Sequence, residues 1–427
     1  MSAGLAHAIR FDPANPTTSL AGLPELPAVF ALCAADPAAE PYLSKTPNLR
    51  RRLVRFLRPP QSGITSRRLQ LAHMVDRIEY TVTGSDFASS LCLYQASRQV
   101  FGERAQKRLR LRPPVFLRMS TENPYPRVYV TTRITKTAAD ALFGPFPSRT
   151  AAERYADEML NLFLLRRCTD DLHPDPTFPG CVYSEMKMCL APCFQGCSDE
   201  RYRQESGDVL GFLVTNGASL MEKLETERDA ASEAMEFERA AAIHQKMQKV
   251  QAAAQLAGEA VHPLSRLSGI LVQPSAEPGS VALFALRRGV WAGPALYSTL
   301  GMRLANERSG SSSLFAHPVA LEPVPLETAE ATKPAKDVLE SRLEEALWVM
   351  AQSAAKSVTS QTLSDHLSLF TQWVYRPAAR STGEMIYAGP DGNTARKPLL
   401  RAISRVAARA TSANPEALEK PPIQWHA

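Results

Sequence analysis

A chain of 427 residues is too long for one core, since single hydrophobic cores rarely grow past about 250–300 residues, so several modules are expected. Hydrophobic residues make up 44% and charged residues 22%, values that exclude a wholly disordered chain, and no run of about 18 apolar residues is present to cross a membrane. The net charge of +6 is modest but concentrated: Lys45, Arg50, Arg51, Arg52, Arg55 and Arg58 form one run free of acids, and Arg104, Lys107, Arg108, Arg110, Arg112 and Arg118 form a second. Both lie in the first third, which is therefore the candidate surface for a polyanion such as DNA. The start, Met1 to Pro16, lacks the basic stretch and apolar core of a secretory leader. Seven cysteines, four of them crowded between Cys168 and Cys193, fit a metal or cluster site in a reducing compartment better than a disulfide scaffold, so a cytoplasmic protein is expected.

In chain order, a Pro-rich lead is followed by Ala28–Cys33 and Tyr42–Leu43 flanking a polar turn with Asp36, Pro37 and Glu40, the pattern of a β-hairpin. Asn48 then caps a helix with Leu49, Leu53, Phe56 and Leu57 on one face and arginines around the rest, ending before Pro59-Pro60. Ile78–Thr83 reads as a strand, Ser89–Phe101 as a helix and Arg127–Arg133 as a strand leading to Phe143-Gly144-Pro145-Phe146. Residues 206–258, free of proline and rich in Ala, Glu, Lys, Met and Gln, predict two helices. Gly269–Val272 and Ser280–Leu286 read as strands, Asp337–Lys356 and Gln361–Tyr375 as helices, and Ser309–Lys336 as a loop. The expected class is a multidomain α/β and α+β protein. Its parts are an α/β domain over 20–112, a β-rich connecting segment over 113–165, a Cys-rich segment over 166–205, a helical hairpin over 206–260 and an α+β domain over 261–427.

The cysteine spacing is Cys168-x12-Cys181-x7-Cys189-x3-Cys193. Four thiolates suit either an iron–sulfur cluster or tetrahedral zinc, and spacing alone does not separate them. Cys197 is a fifth thiol, read as a spare ligand or a packed core cysteine, while Cys33 and Cys92 sit in apolar contexts and are assigned to packing. Asp365-His366 is expected at a helix surface, and Arg401, Arg405 and Arg409, four apart, as exposed side chains or phosphate contacts.

Taken in order, several segments resemble the UvrC family from about Leu23 to about Leu256. They are Tyr42-Leu43-Ser44-Lys45 with Asn48-Leu49-Arg50-Arg51-Arg52, Ile78–Thr83, Pro126-Arg127-Val128-Tyr129-Val130-Thr131 and Phe143-Gly144-Pro145-Phe146-Pro147-Ser148. The resemblance implies a GIY-YIG-type endonuclease domain at the amino end, in which Tyr42, Lys45 and Arg52 match motif positions for catalysis and Arg50, Arg51, Arg55 and Arg58 would contact DNA. It also implies a metal such as Mg²⁺ or Mn²⁺ for incision, and here the chain departs from the family pattern. Ala28-Val29-Phe30 stands where Gly-Ile-Tyr is expected, Ser44 replaces a glycine and Phe56 a tyrosine. The helix that should carry a metal-binding glutamate has no acid between Asp86 and Glu103; Tyr94 and Gln95 stand near that position.

The same resemblance implies a [4Fe-4S] cluster on Cys168, Cys181, Cys189 and Cys193, with zinc as the alternative. The segment Leu224–Ala241 resembles the UVR motif shared by UvrC and UvrB, which makes Leu224 and Met235, expected on the first helix, and Phe237 and Ala241, expected on the second, contacts for a UvrB-like partner; the plainer alternative is a hairpin docked on its own chain. Beyond Leu267 the likeness is to the opening strands of an RNase H-like domain, with the chain expected to stop before its acidic triad. Two functions follow from these implications. One is a DNA-binding excision-repair subunit with incision activity; the other is a catalytically inactive DNA-binding scaffold or regulator of UvrC type.

Overall fold

The computed structural model describes residues 2–57, 71–120, 122–169, 171–302, 336–352, 358–377 and 382–413. Arg58, the Pro59-Pro60 stop and the expected Ser309–Lys336 loop up to residue 335 lie outside them.

The amino-terminal unit contains β1 (His7–Arg10), α1 (Pro16–Ala21), β2 (Ala28–Cys33), β3 (Tyr42–Thr46), α2 (Leu49–Leu57), β4 (Arg77–Val82) and α3 (Asp86–Phe101). Its antiparallel sheet runs β1-β4-β2-β3. The unbroken apolar run of β2 is explained by burial on both faces. Ala28, Phe30 and Leu32 pack with Leu20, Leu49, Leu53 and Leu57 of α1 and α2, whereas Ala31 and Cys33 pack with Ala96 of α3. Asn48 caps α2 as its position predicts, its side-chain oxygen accepting the Arg51 N–H at 2.8 Å.

The middle unit begins with α4 (Ala105–Leu109), β5 (Val115–Met119), β6 (Val128–Thr131), β7 (Leu142–Phe146), α5 (Arg149–Leu160) and α6 (Val182–Glu185). It continues with α7 (Asp199–Thr215), α8 (Ala218–Glu233), α9 (Phe237–Gln255) and β8 (His262–Pro263). Where two helices were expected there are three. The overlooked stop is Asn216-Gly217, both left-handed (φ 49° and 89°), which ends α7 and opens α8. The sheet order is β6-β5-β7-β8, so the chain returns after the hairpin to pair Pro263 with Phe143. Leu117, Phe143 and Phe146 of this sheet share one core with Tyr155, Tyr202, Phe212, Leu220 and Val250.

The carboxy-terminal unit is built from β9 (Gly269–Pro274), β10 (Ser280–Arg287), β11 (Val290–Ser298), α10 (Lys336–Gln352), α11 (Ser360–Val374), β12 (Glu384–Tyr387) and α12 (Arg396–Ala413). Its antiparallel sheet runs β11-β10-β9-β12. Val272, Leu283 and Tyr297 face α10 and α12, and Leu271, Phe284 and Trp291 face α11 and α3. The described residues form a mixed α/β protein with three small sheets. Asp365 and His366 correct the surface expectation: both are buried, because α11 is enclosed by β11, α3 and β7.

Candidate nucleic-acid and partner-binding sites

Strand alternation divides the residues matched to the nuclease motif. Tyr42 pairs with Leu32 and so lies on the α2 face of the sheet, while Lys45 pairs with Val29 and lies on the α3 face. On the first face the Tyr42 ring stacks on Phe56 with centroids 5.5 Å apart, and the Arg52 guanidinium lies 5.3 Å from the Phe56 centroid. The buried Phe30 ring stands 6.3 Å from Tyr42. Tyr42 and Arg52 are thus brought together around Phe56, and Tyr42 is 43% exposed. Lys45 instead donates to Asp86 and to Ser90, both at 2.7 Å. Burial alone would raise the Asp86 carboxyl, but the Lys45 ammonium and the Arg376 guanidinium hold it below its ordinary value.

Arg51 and Arg55 are exposed on α2, and Arg50 pairs loosely with Glu25 at 3.4 Å. The second basic run is partly neutralised by a residue that its composition did not point to: Glu40 takes both Arg104 and Arg108. Arg405 and Arg409 likewise pair with Glu384, so these two are not free phosphate contacts. Tyr94 donates its hydroxyl to Asp365 in the carboxy-terminal unit. No acid stands on α3 between Asp86 and Glu103, so this stretch of the helix itself supplies no carboxylate for a hard divalent cation.

The cysteine loop is strongly shaped. Lys187, Ala191 and Gln195 hold left-handed backbone (φ 55°, 57° and 60°), an unusual density of such residues in a short loop. The Ala191 N–H points at Cys189 Sγ (3.3 Å), and the buried Arg166 guanidinium at Cys168 Sγ (3.6 Å). Burial pushes the Cys189 thiol up to about 11, with Cys168, Cys193 and Cys181 adding to the shift against the Ala191 N–H. Burial also raises Cys193, followed by Cys181. Cys189 thus senses Cys168, Cys193 and Cys181, and Cys193 senses Cys181 and Cys168. Among the described residues, no three His, Cys, Asp or Glu side chains already converge as ligands of one ion. The donor chemistry fits a thiophilic centre, while closure of the ligand set would have to accompany binding, as is usual where metal binding and local folding are coupled. Cys197 packs at the edge of the middle core.

The hairpin of α8 and α9 is docked at its base and bare at its tip. Leu224, Ala231 and Met247 are buried within the chain, which removes Leu224 from the expected partner contacts: its side chain belongs to the core shared with α5 and α7. Met235 and Phe237 are 76% and 69% exposed, and Ala241 is exposed beside them. Met235 lies in the turn rather than on the first helix, in left-handed backbone (φ 61°).

Residues 115–212, which contain β5–β7, the cysteine loop and most of α7, match the family profile described as UvrC/Cho excinuclease, middle domain. The chain is 27% identical over 320 residues to UvrABC system protein C of Carboxydothermus hydrogenoformans, covering 73% of this chain and 50% of that protein. It is 30% identical over 216 residues to UvrABC system protein C of Ruegeria sp. and 31% identical over 215 residues to that of Cereibacter sphaeroides, each match covering 48% of this chain and 32% of the relative. The chain thus spans between 32% and 50% of the length of these relatives. No solved structure matches. Fold and profile together define a multi-unit α/β protein built around an excinuclease-type middle domain. The chain is thus similar to the UvrC family, most specifically through residues 115–212.

Proposed function

We propose that this chain serves nucleotide excision repair as a UvrC-type subunit that binds DNA through the α2 face and engages a UvrB-type partner through the hairpin tip. The observation that carries this reading is the pair Met235 and Phe237, large apolar side chains bare on a hairpin whose base is fixed in the middle core. Soluble proteins rarely leave such anchors exposed together without a partner surface. Arg51 and Arg55 supply the positive field for a duplex, and Arg52 beside the exposed Tyr42 is placed for a phosphate oxygen.

A second reading, binding without cutting by this unit, is favoured by one specific feature: α3 presents Tyr94 to Asp365 and carries no carboxylate nearby. Binding needs only positive charge, and each neutralised phosphate steepens the salt dependence by about 0.9 in log–log slope. Hydrolysis would need an activated water placed against the same phosphorus. Native protein titrated onto duplex at several salt concentrations should bind, with affinity reduced and the slope made shallower by about 1 to 2 in the Arg51→Glu/Arg55→Glu variant. The same samples should show no nicking with Mg²⁺ or Mn²⁺. Nicking by native protein that Arg52→Ala abolishes would replace this second reading with an active nuclease, and salt-insensitive binding would remove the α2 face from the DNA assignment.

The cysteine loop is assigned to a [4Fe-4S] cluster held by Cys168, Cys181, Cys189 and Cys193, with zinc as the alternative metal. When bound, such a centre supplies a four-point tie across a loop with little regular structure. Arg166 and the Ala191 N–H then stabilise negative charge on sulfur. Anaerobically purified protein should be brown, with iron and sulfide in near-equal amounts. Cys189→Ser should lose the metal and open the loop to protease. Colourless protein with one zinc would select zinc, and metal-free protein with an unaltered loop would reject the site.

A further inference from the structure

Helix α3 belongs by sequence to the amino-terminal unit, yet much of its buried surface meets the carboxy-terminal one. Phe87 packs edge-on against Phe284, Trp291 and Trp373, with centroids 5.1, 4.7 and 6.3 Å away. One turn beyond, Leu91 lies in the same core, and then Tyr94 donates its hydroxyl to Asp365 Oδ2 at 3.1 Å. The other oxygen of Asp365 accepts from Gln361 at 2.9 Å, so a carboxylate with no solvent exposure has a donor for each oxygen, one of them from the opposite unit. At the rim, Asp86 pairs with Lys45 of its own unit and with Arg376 of the other. Just before the helix, Gly84 meets the carboxy-terminal backbone so closely that a Cβ there would lie 2.2 Å from the Ser275 carbonyl carbon and 2.3 Å from Pro274 O.

We propose that α3 is a clasp that fastens the amino-terminal unit to the carboxy-terminal unit, with Tyr94–Asp365 as its polar pin and Gly84 as the point of closest approach. An interface between two units is ordinarily polar and permits relative motion; an aromatic centre with a satisfied buried carboxylate resists it. The carboxy-terminal unit thereby acts as the anchor that holds the basic α2 face at a fixed position relative to the hairpin. The clasp rests on these contacts alone and stands whether or not the chain cuts DNA.

The test is amide hydrogen exchange on the full chain for Tyr94→Phe, Asp365→Ala, their combination, and Gly84→Ala. Tyr94→Phe should speed exchange in both α3 and α11 by roughly ten- to hundredfold, the range expected on losing a hydrogen bond to a charged group, while leaving α8 and α9 unchanged. The combined variant should exchange no faster than the faster single one, because both substitutions remove the same bond. Gly84→Ala, which touches neither partner of that bond, should loosen the same two helices. Faster exchange confined to one helix, or effects that multiply in the combined variant, would overturn the clasp.

Discussion

Phe87→Ala is expected to lower the stability of the folded chain by about 3–5 kcal/mol, the range for removing a fully enclosed aromatic side chain. Phe87 is buried and touches three other rings in edge-on geometry, the arrangement that aromatic quadrupoles favour. The neighbours cannot collapse into the vacancy easily, since Phe284 and Trp291 are held in strands of one sheet and Trp373 in α11. Trp291 and Trp373 also report the loss directly, because both are buried and both face the deleted ring. Their fluorescence should shift to longer wavelength in native buffer as water enters, and the first denaturant transition should move to lower concentration. Phe87→Leu, which leaves a smaller cavity, should show the same changes at reduced size. A stability change below about 1 kcal/mol in Phe87→Ala would mean that this core is not shared between the units as described.

The second large effect is a loss of stability in mild acid that traces to His366. Its Nδ1 accepts the Trp291 backbone N–H at 2.8 Å, which leaves the proton of the neutral ring on Nε2. Burial, reinforced by the Arg98 guanidinium, depresses its pKa from the ordinary 6.5 to about 4. The charged and titratable groups around it are Arg98 and Tyr94 from α3 and Asp365 beside it on α11. Between pH 6.5 and about 4 the unfolded chain binds more protons at this position than the folded one, so stability falls as pH falls through that window and levels off below it. The loss amounts to about 3 kcal/mol at its full extent. Burial raises Asp365, whose contribution is favourable below its unfolded value of 3.8 and disappears as pH rises, so it offsets part of the His366 loss at the acid end. Thermal unfolding followed from pH 7.5 to pH 4 should show this slope. His366→Asn, which can keep an acceptor for Trp291, should be less pH-dependent over the window even if less stable at neutrality. An unchanged slope in that variant would assign the acid sensitivity elsewhere.

Much of the local structure was legible in the sequence because short-range patterns determine it. The unbroken apolar run Ala28–Cys33 is a strand buried on both faces, and Asn48 with Leu49, Leu53 and Leu57 is a capped helix with one buried edge. The motif singled out Met235 and Phe237, but that Met235 stands in the turn instead of on the first helix depends on its left-handed backbone, which the apolar spacing does not reveal. What escaped depended on partners far along the chain. β1 emerges from a Pro-rich lead only because His7–Arg10 can pair with β4, and the two residues of β8 are a strand only because β7 awaits them. Leu224 fits an interface stripe as well as a core stripe, and the choice is made by α5 and α7, which no helical period reveals. Asp365-His366 carries the composition of a surface turn of helix; the Tyr94 hydroxyl and the Trp291 N–H that satisfy it inside come from elements 271 and 75 residues away.

The most direct test of the proposed repair role is recruitment to a partner on DNA. Lesion-bearing duplex loaded with UvrB by UvrA should shift further in a gel when this chain is added, and Phe237→Ala should weaken that recruitment by about 2 kcal/mol, the loss of an interface anchor. Native protein that binds the duplex equally well with and without UvrB, or a Phe237→Ala variant recruited as tightly as native, would contradict the assignment of the hairpin tip and with it the proposed role.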